Sequence, residues 1–271
     1  MSIKLIAFDM DYTLLRTGGA LSDFTTETLR EAQKRGIITV PVTGRNLEEL
    51  ESLLPALGEI PYAVTVNGCV VWDLKAKTRI YRETAPQAEM LKMLEKAISM
   101  DIYTEVYSGS VYTNPYCYEN MAALGMPPDQ VPLFKATRTV VPDLYKAMEE
   151  LGAMEKMHLV FYDVPDKHKR QGVFLGHPEF SYTAAYVNNL ELCSKKVNKA
   201  NGLAALAEHL GLSADEVMAL GDGANDACML EWAGLGVAMA NAVPEAKEAA
   251  DVMTLSNDED GAAVAIEKYC F

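Results

Sequence analysis

Ile3-Lys4-Leu5-Ile6-Ala7-Phe8-Asp9-Met10-Asp11-Tyr12-Thr13 is the stretch that decides the fold. Apolar, β-branched and aromatic residues crowd its first half, which predicts a buried strand. Two aspartates one residue apart follow at once. Residues i and i+2 share one face of a strand. If the extended backbone continues past Phe8, both carboxylates project from the strand's carboxyl end. Carboxylates that close repel unless a cation or a shared proton relieves them. That predicts a metal site or acid/base chemistry.

Outward from this strand, elements alternate. Thr25–Arg35 has helical spacing at Leu29 and Ala32 and stops at Gly36. Ile37–Val42 reads as a second strand despite Pro41, Asn46–Leu54 as a short helix, and Tyr62–Val66 as a third strand before Asn67-Gly68. The rhythm returns from Asn198. Leu203, Leu206 and Leu210 mark a helix ending at Gly211, and Val217–Leu220, Gly236–Met239 and Val252–Leu255 read as strands. This alternation predicts an α/β core with a doubly wound parallel sheet.

The middle breaks the pattern. Helices are expected over Pro86–Ser99 and Pro142–Leu151. A hairpin is expected with Ile102–Tyr107 and Val111–Thr113 around Ser108-Gly109-Ser110, and further strands over Met157–Tyr162, Tyr182–Val187 and Leu190–Cys193. This predicts an inserted α+β domain at residues 84–189, with residues 1–83 and 190–271 forming the core.

Composition narrows the class. The 271 residues are 49% hydrophobic and 23% charged, which favours a globular protein over a disordered one. Net charge is −14, from 24 basic and 38 acidic side chains, which opposes binding to nucleic acid. No apolar run approaches the ~18 residues of a membrane span, and no leader pattern precedes the first strand. Cys69, Cys117, Cys193, Cys228 and Cys270 are scattered without a C-x-x-C pair, as expected of reduced thiols. The expected location is the cytoplasm.

Four polar clusters sit at element ends: Asp9-x-Asp11-x-Thr13, Thr43-Gly44-Arg45, Lys195/Lys196/Lys199, and Gly221-Asp222-Gly223-Ala224-Asn225-Asp226. Ligands of open parallel sheets bind outside the strands' carboxyl ends, so the four can converge. Asp9, Asp11, Asp222 and Asp226 offer oxygens suited to Mg²⁺. Thr43, Asn225, Lys199 and backbone N–H groups offer donors for an anion. Phosphoryl transfer uses that combination. An EF-hand is excluded, because its sixth and twelfth positions would be Leu14 and Ala20. No P-loop motif is present.

These four motifs resemble those of the haloacid dehalogenase-like hydrolases, specifically the Cof-type branch with a large cap at the second insertion point. Asp9-Met10-Asp11-Tyr12-Thr13 resembles the family's first motif, Thr43-Gly44-Arg45 its second, Lys199 its third and Gly221–Asp226 its fourth. The resemblance implies a Mg²⁺-dependent phosphatase acting on small organic phosphate monoesters, sugar phosphates among them. It implies Asp9 as nucleophile and metal ligand, and Asp11 as acid and base with its carbonyl on the metal. Asp222 becomes the third metal ligand and Asp226 an acidic support. Thr43, Gly44, Lys199 and Asn225 would hold the phosphoryl group. Arg45 would either neutralise substrate charge or form a structural ion pair, and Asn67 would line the site. Lys199 is preferred over Lys195 and Lys196 on spacing. The expected partner is a small phosphorylated metabolite, with no membrane or nucleic acid. Alternatives are a phosphotransferase or phosphomutase on the same fold, or a noncatalytic phosphometabolite-binding regulatory protein. Tyr12, Ala200 and Val66 depart from the branch's usual residues.

Overall fold

The computed structural model describes residues 2–128, 130–184 and 186–271. Strands in chain order are β1 (Leu5–Phe8), β2 (Ile38–Pro41), β3 (Tyr62–Thr65), β4 (Val70–Asp73), β5 (Thr78–Arg82), β6 (Tyr103–Ser108), β7 (Ser110–Thr113), β8 (Arg138–Val140), β9 (Lys156–Val160), β10 (Phe180–Thr183), β11 (Asn189–Ser194), β12 (Val217–Gly221), β13 (Leu235–Ala238) and β14 (Val252–Met253). The chain divides into two compact units, residues 1–82 with 198–271, and residues 83–197.

The first unit holds a parallel five-stranded sheet in the order β14-β13-β12-β1-β2. Every residue of β1 is buried, as its unbroken apolar run requires. Register pairs Phe8 with Leu220 on one side and Pro41 on the other. The loops after β1, β2 and β12 therefore leave the sheet at one level. Pro41 is tolerated because alternate residues of β2 face each neighbour. The N–H of Val42 donates to Phe8 (2.8 Å), and that of Thr43 donates to Val64 (2.9 Å), where pairing with β3 begins. The missing N–H of residue 41 thus lies before that pairing starts.

The third strand departs from expectation. β3 meets the parallel sheet through a single bridge, Val42 to Val64, and otherwise belongs to an antiparallel meander β3-β4-β5. Strands β4 and β5 lie outside the predicted elements, although Val70-Val71-Trp72 and Thr78–Tyr81 around an Asp73–Lys77 turn carry the signal.

The second unit is a six-stranded sheet, β10-β11-β9-β6-β7-β8. One face (Val106, Met157, Leu159, Leu190, Leu192) packs on Met90, Leu94, Leu144 and Met148 of the helices Gln87–Ser99 and Leu144–Leu151. The opposite face carries buried charge, with Glu105 opposite His158 and His158 opposite Glu191. Arg138 donates to both Glu105 oxygens (2.8 and 3.0 Å), Tyr103 donates its hydroxyl to Glu105 (2.6 Å), and Lys156 pairs with Glu191 at 2.9 Å. The expected boundary at 189/190 moves to 197/198, because β11 hydrogen-bonds to β9 and β10 and cannot leave that sheet. The strand expected over 182–187 spans residue 185, which lies outside the described residues; the described strand is β10.

Candidate active site

At the end of β1 the backbone does not stay extended. Asp9 keeps the ladder, its N–H donating to Leu220 (3.0 Å), but residues 10–14 then form one wide, irregular turn closed by Leu14 N–H to Asp9 and Leu15 N–H to Met10, with Asp11 and Tyr12 off helical geometry. Tyr12 takes φ 59° within it. For an L-residue that conformation costs roughly 1–2 kcal/mol. The turn is clamped from the C-terminal tail. Asn241 Nδ2 donates to the Tyr12 carbonyl (2.9 Å), and Asn257 donates its N–H to Asn241 and its Nδ2 to the Leu15 carbonyl (3.0 Å each). Sequence reasoning missed both asparagines, whose contacts to the turn join positions more than 200 residues apart.

The turn separates the two aspartates. Asp9 meets Lys199, whose Nζ lies 2.5 Å from Asp9 Oδ1 and 2.5 Å from Asp226 Oδ1. Asp11 instead receives a fork from Arg45, Nε to Oδ2 at 2.9 Å and Nη2 to Oδ1 at 2.6 Å. Each carboxylate has its own cation, which resolves the repulsion their spacing predicted. The hydrogen bond to Asp11 raises the Arg45 pKa further. Of the two roles expected for Arg45, the geometry places its guanidinium in an ion pair.

Lys199 is the first residue of the helix Lys199–Leu210, with Asn198 as its N-cap accepting from Asn201 N–H. Its side chain is wholly buried, whereas Lys195 and Lys196 are exposed. The helix start can approach this closely because Gly68 faces it. A Cβ on Gly68 would lie 2.0 Å from the Asn198 carbonyl, and its φ is +95°.

After β12 the loop folds around Asp226, which is fully buried. Its Oδ2 accepts N–H groups from Asp222 (2.9 Å) and Gly223 (2.8 Å). A Cβ at Gly221 would lie 2.5 Å from the Asp226 Cβ, so only glycine fits. Asp222 Oδ1 accepts from Thr13 (2.7 Å), a contact that ties the first motif to the fourth. Thr43 is buried after β2, with its Oγ1 accepting from Arg45 N–H (3.2 Å). Asn67, also left-handed at φ 57°, accepts from Asn225 Nδ2 (3.1 Å) and would lie 3.1 Å from a Cβ on Gly44. The structure thus gathers Asp9, Asp222, Asp226 and Lys199, links Asn67 with Gly44 and Asn225, and links Asp11 with Arg45.

Electrostatics at the cluster are strained toward negative charge. Burial pushes the Asp9 carboxyl up to about 8, with Lys199 opposing and the Asp226 and Asp11 charges adding to it. Burial also pushes Asp222 up to about 6, against the Thr13 hydrogen bond. Ligand atoms from Asp9, Asp222 and Asp226 lie within 4.8 Å of one another. Among the described residues, the second oxygen of Asp9 and of Asp222 has no hydrogen-bond partner, while Asp226 is saturated by Lys199 and two N–H groups. Two open, raised carboxylates side by side fit a hard divalent cation. The Asp11 carboxylate stands outside this cluster, in its pair with Arg45.

Residues 6–266 match the family described as haloacid dehalogenase-like hydrolase. Phosphatase YwpJ of Bacillus subtilis is 30% identical, with 96% of this chain and 98% of that protein covered. The 5-amino-6-(5-phospho-D-ribitylamino)uracil phosphatase YcsE of the same organism is 30% identical over 99% of this chain and 96% of its own. A haloacid dehalogenase-like hydrolase from Bacteroides thetaiotaomicron, solved by crystallography, superposes with a TM-score of 0.82 at 28% identity, covering 98% of this chain and 99% of that one. Among the described residues, no helix is long and apolar enough to cross a membrane.

Proposed function

The chain belongs to the haloacid dehalogenase-like hydrolases, and from that premise we propose that it is a Mg²⁺-dependent phosphatase of small organic phosphate monoesters, sugar phosphates among them, working through an aspartyl-phosphate on Asp9. The observation that carries the reading is the bridge from one buried lysine to two carboxylates, with a third whose oxygen lies within 4.8 Å of theirs, drawn from chain positions 9, 199, 222 and 226. One relative's named substrate is itself a small phosphate monoester.

In this reading Asp9 and Asp222 would hold the cation, with the Asp11 carbonyl as a further ligand, and it would supply neutralisation of charge on the phosphoryl oxygens. Asp9 attacks phosphorus, and Lys199 orients it through the short contact on Oδ1. Asp11 would first take up a proton on one oxygen while Arg45 keeps hold of the other, then give that proton to the leaving oxygen and later take one from the attacking water. Thr43, Gly44 N–H and Asn225 direct donors at the transferring group, whose charge is what such sites stabilise. Splitting hydrolysis into two displacements is the general advantage of a covalent intermediate. The test is Asp9→Asn protein assayed with aryl and sugar phosphates in Mg²⁺. Activity should fall to background, and near wild-type turnover would sink the proposal.

A further inference from the structure

We propose that Tyr12 is a specificity-determining residue whose ring forms a platform for a flat, aromatic or heteroaromatic leaving group. The inference rests on the phosphatase reading above, since it takes Asp11 as the group that meets the leaving oxygen.

Three observations carry it. First, the backbone at residue 12 is left-handed, φ 59° and ψ 7°. It is held there by bonds that do not involve the ring: Leu14 N–H to Asp9, Leu15 N–H to Met10, and Asn241 Nδ2 to the Tyr12 carbonyl. Glycine is the residue for which such a position is free of steric cost, yet an aromatic occupies it. Second, the ring returns little burial for that cost, because Tyr12 is 57% exposed. Packing therefore does not account for the side chain, and residues held in strained backbone conformations cluster at active sites and ligand clamps. Third, the neighbouring Asp11 side chain is 46% exposed. The catalytic carboxyl and the ring thus both open to solvent, on Cα atoms about 3.8 Å apart.

Chemistry connects these facts. The leaving oxygen must come within hydrogen-bond reach of Asp11 to receive its proton. Whatever that oxygen is bonded to begins beside the residue that follows Asp11, whose exposed ring is free to turn toward it. A flat ring there can stack in an offset or edge-to-face arrangement, while the phenol hydroxyl stays in water. A polyol gains no such contact. The substrate class this selects is a phosphate monoester with a ring close to its ester oxygen.

Titration calorimetry on the full-length Mg²⁺-loaded protein tests the platform without catalysis. The probes are phenylphosphonate and methylphosphonate, which present the same anion and have no ester bond to cleave. Wild type should bind phenylphosphonate about tenfold more tightly, the upper end for an aromatic pair. Tyr12→Phe should keep that ratio and Tyr12→Gly, which suits the left-handed backbone, should bring it to about one. An equal ratio in wild type and Tyr12→Gly overturns the proposal, as does a wild type that does not bind phenylphosphonate in preference. Absence of turnover of 4-nitrophenyl phosphate by wild type would instead count against the phosphatase reading, and the phosphonate ratio stays readable in that case.

Discussion

Arg45 grips Asp11 with both arms of its guanidinium, at 2.9 and 2.6 Å, and so sets the direction of the one site carboxylate that stands apart from the Lys199 cluster. A bidentate pair fixes both position and plane.

Arg45→Met should therefore impair proton delivery more than phosphoryl binding. With an alkyl phosphate, whose alkoxide needs a proton to leave, kcat/KM should fall by about 10- to 100-fold. With 4-nitrophenyl phosphate, whose phenolate leaves unaided, the loss should be much smaller. Equal losses for both substrates would show that Arg45 acts elsewhere.

Lys199→Met should be costly twice. Asp226 is fully buried and Asp9 nearly so, and both would face each other without the ammonium between them. Removing one partner of a buried ion pair costs about 3–5 kcal/mol, which denaturant melts would register. Activity should drop by about 100-fold or more, as when a charge-stabilising donor is lost.

Metal should stabilise the protein more at higher pH. The folded state holds protons on Asp9 and Asp222 more tightly than the unfolded chain does, because burial pushes these carboxyls up to about 8 and about 6. Their contribution to stability is thus greatest in acid and is lost as pH rises through those values. A cation binds the ionised pair and reverses that loss. The Tm increase on adding Mg²⁺ should be larger at pH 8 than at pH 5. An increase that shrinks with pH would contradict the assignment of Asp9 and Asp222 as ligands.

In the inserted unit, Glu105 behaves oppositely. Burial pushes its carboxyl up, but the Arg138 charge and the hydrogen bonds from His158 and Arg138 outweigh burial and hold it well below the usual carboxylate range. Its stabilisation is present above the ordinary carboxylate pKa and lost as pH falls below it. Glu105→Gln leaves the buried Arg138 guanidinium facing a neutral amide, at about 3–5 kcal/mol near neutral pH. The gap from wild type should narrow in melts below about pH 4.

Gly68→Ala should disturb the site without touching a catalytic group. The new methyl would fall 2.0 Å from the Asn198 carbonyl on a backbone at φ +95°. The loop or the helix start must shift, moving Asn67 or Lys199. A loss of about 1–3 kcal/mol and a fall in kcat are expected. Unchanged melting would show that the loop yields freely.

Much of this was legible in the chain. The buried run Leu5–Phe8 and the alternating segments up to Val42 and after Asn198 declare a parallel sheet, because burial on both faces demands unbroken apolar strands. The four polar motifs could be placed at strand ends for the same reason. The charged face of the inserted sheet was less readable. Glu105, Arg138, His158 and Glu191 look like solvent-facing alternation, and only their mutual pairing lets them be buried.

By itself the sequence determined the α/β core, the existence of an inserted unit and the residues available for chemistry, since periodicity and turn residues act over a few positions. Only the tertiary structure decided who pairs with whom. Strand order puts β1 between β12 and β2, which brings Asp9 to Lys199 and Asp226, and Asp11 to Arg45. The tail residues Asn241 and Asn257 then hold the turn that parts the two aspartates. Those contacts join positions up to about 240 residues apart, and no local pattern of side chains encodes the register that makes them meet.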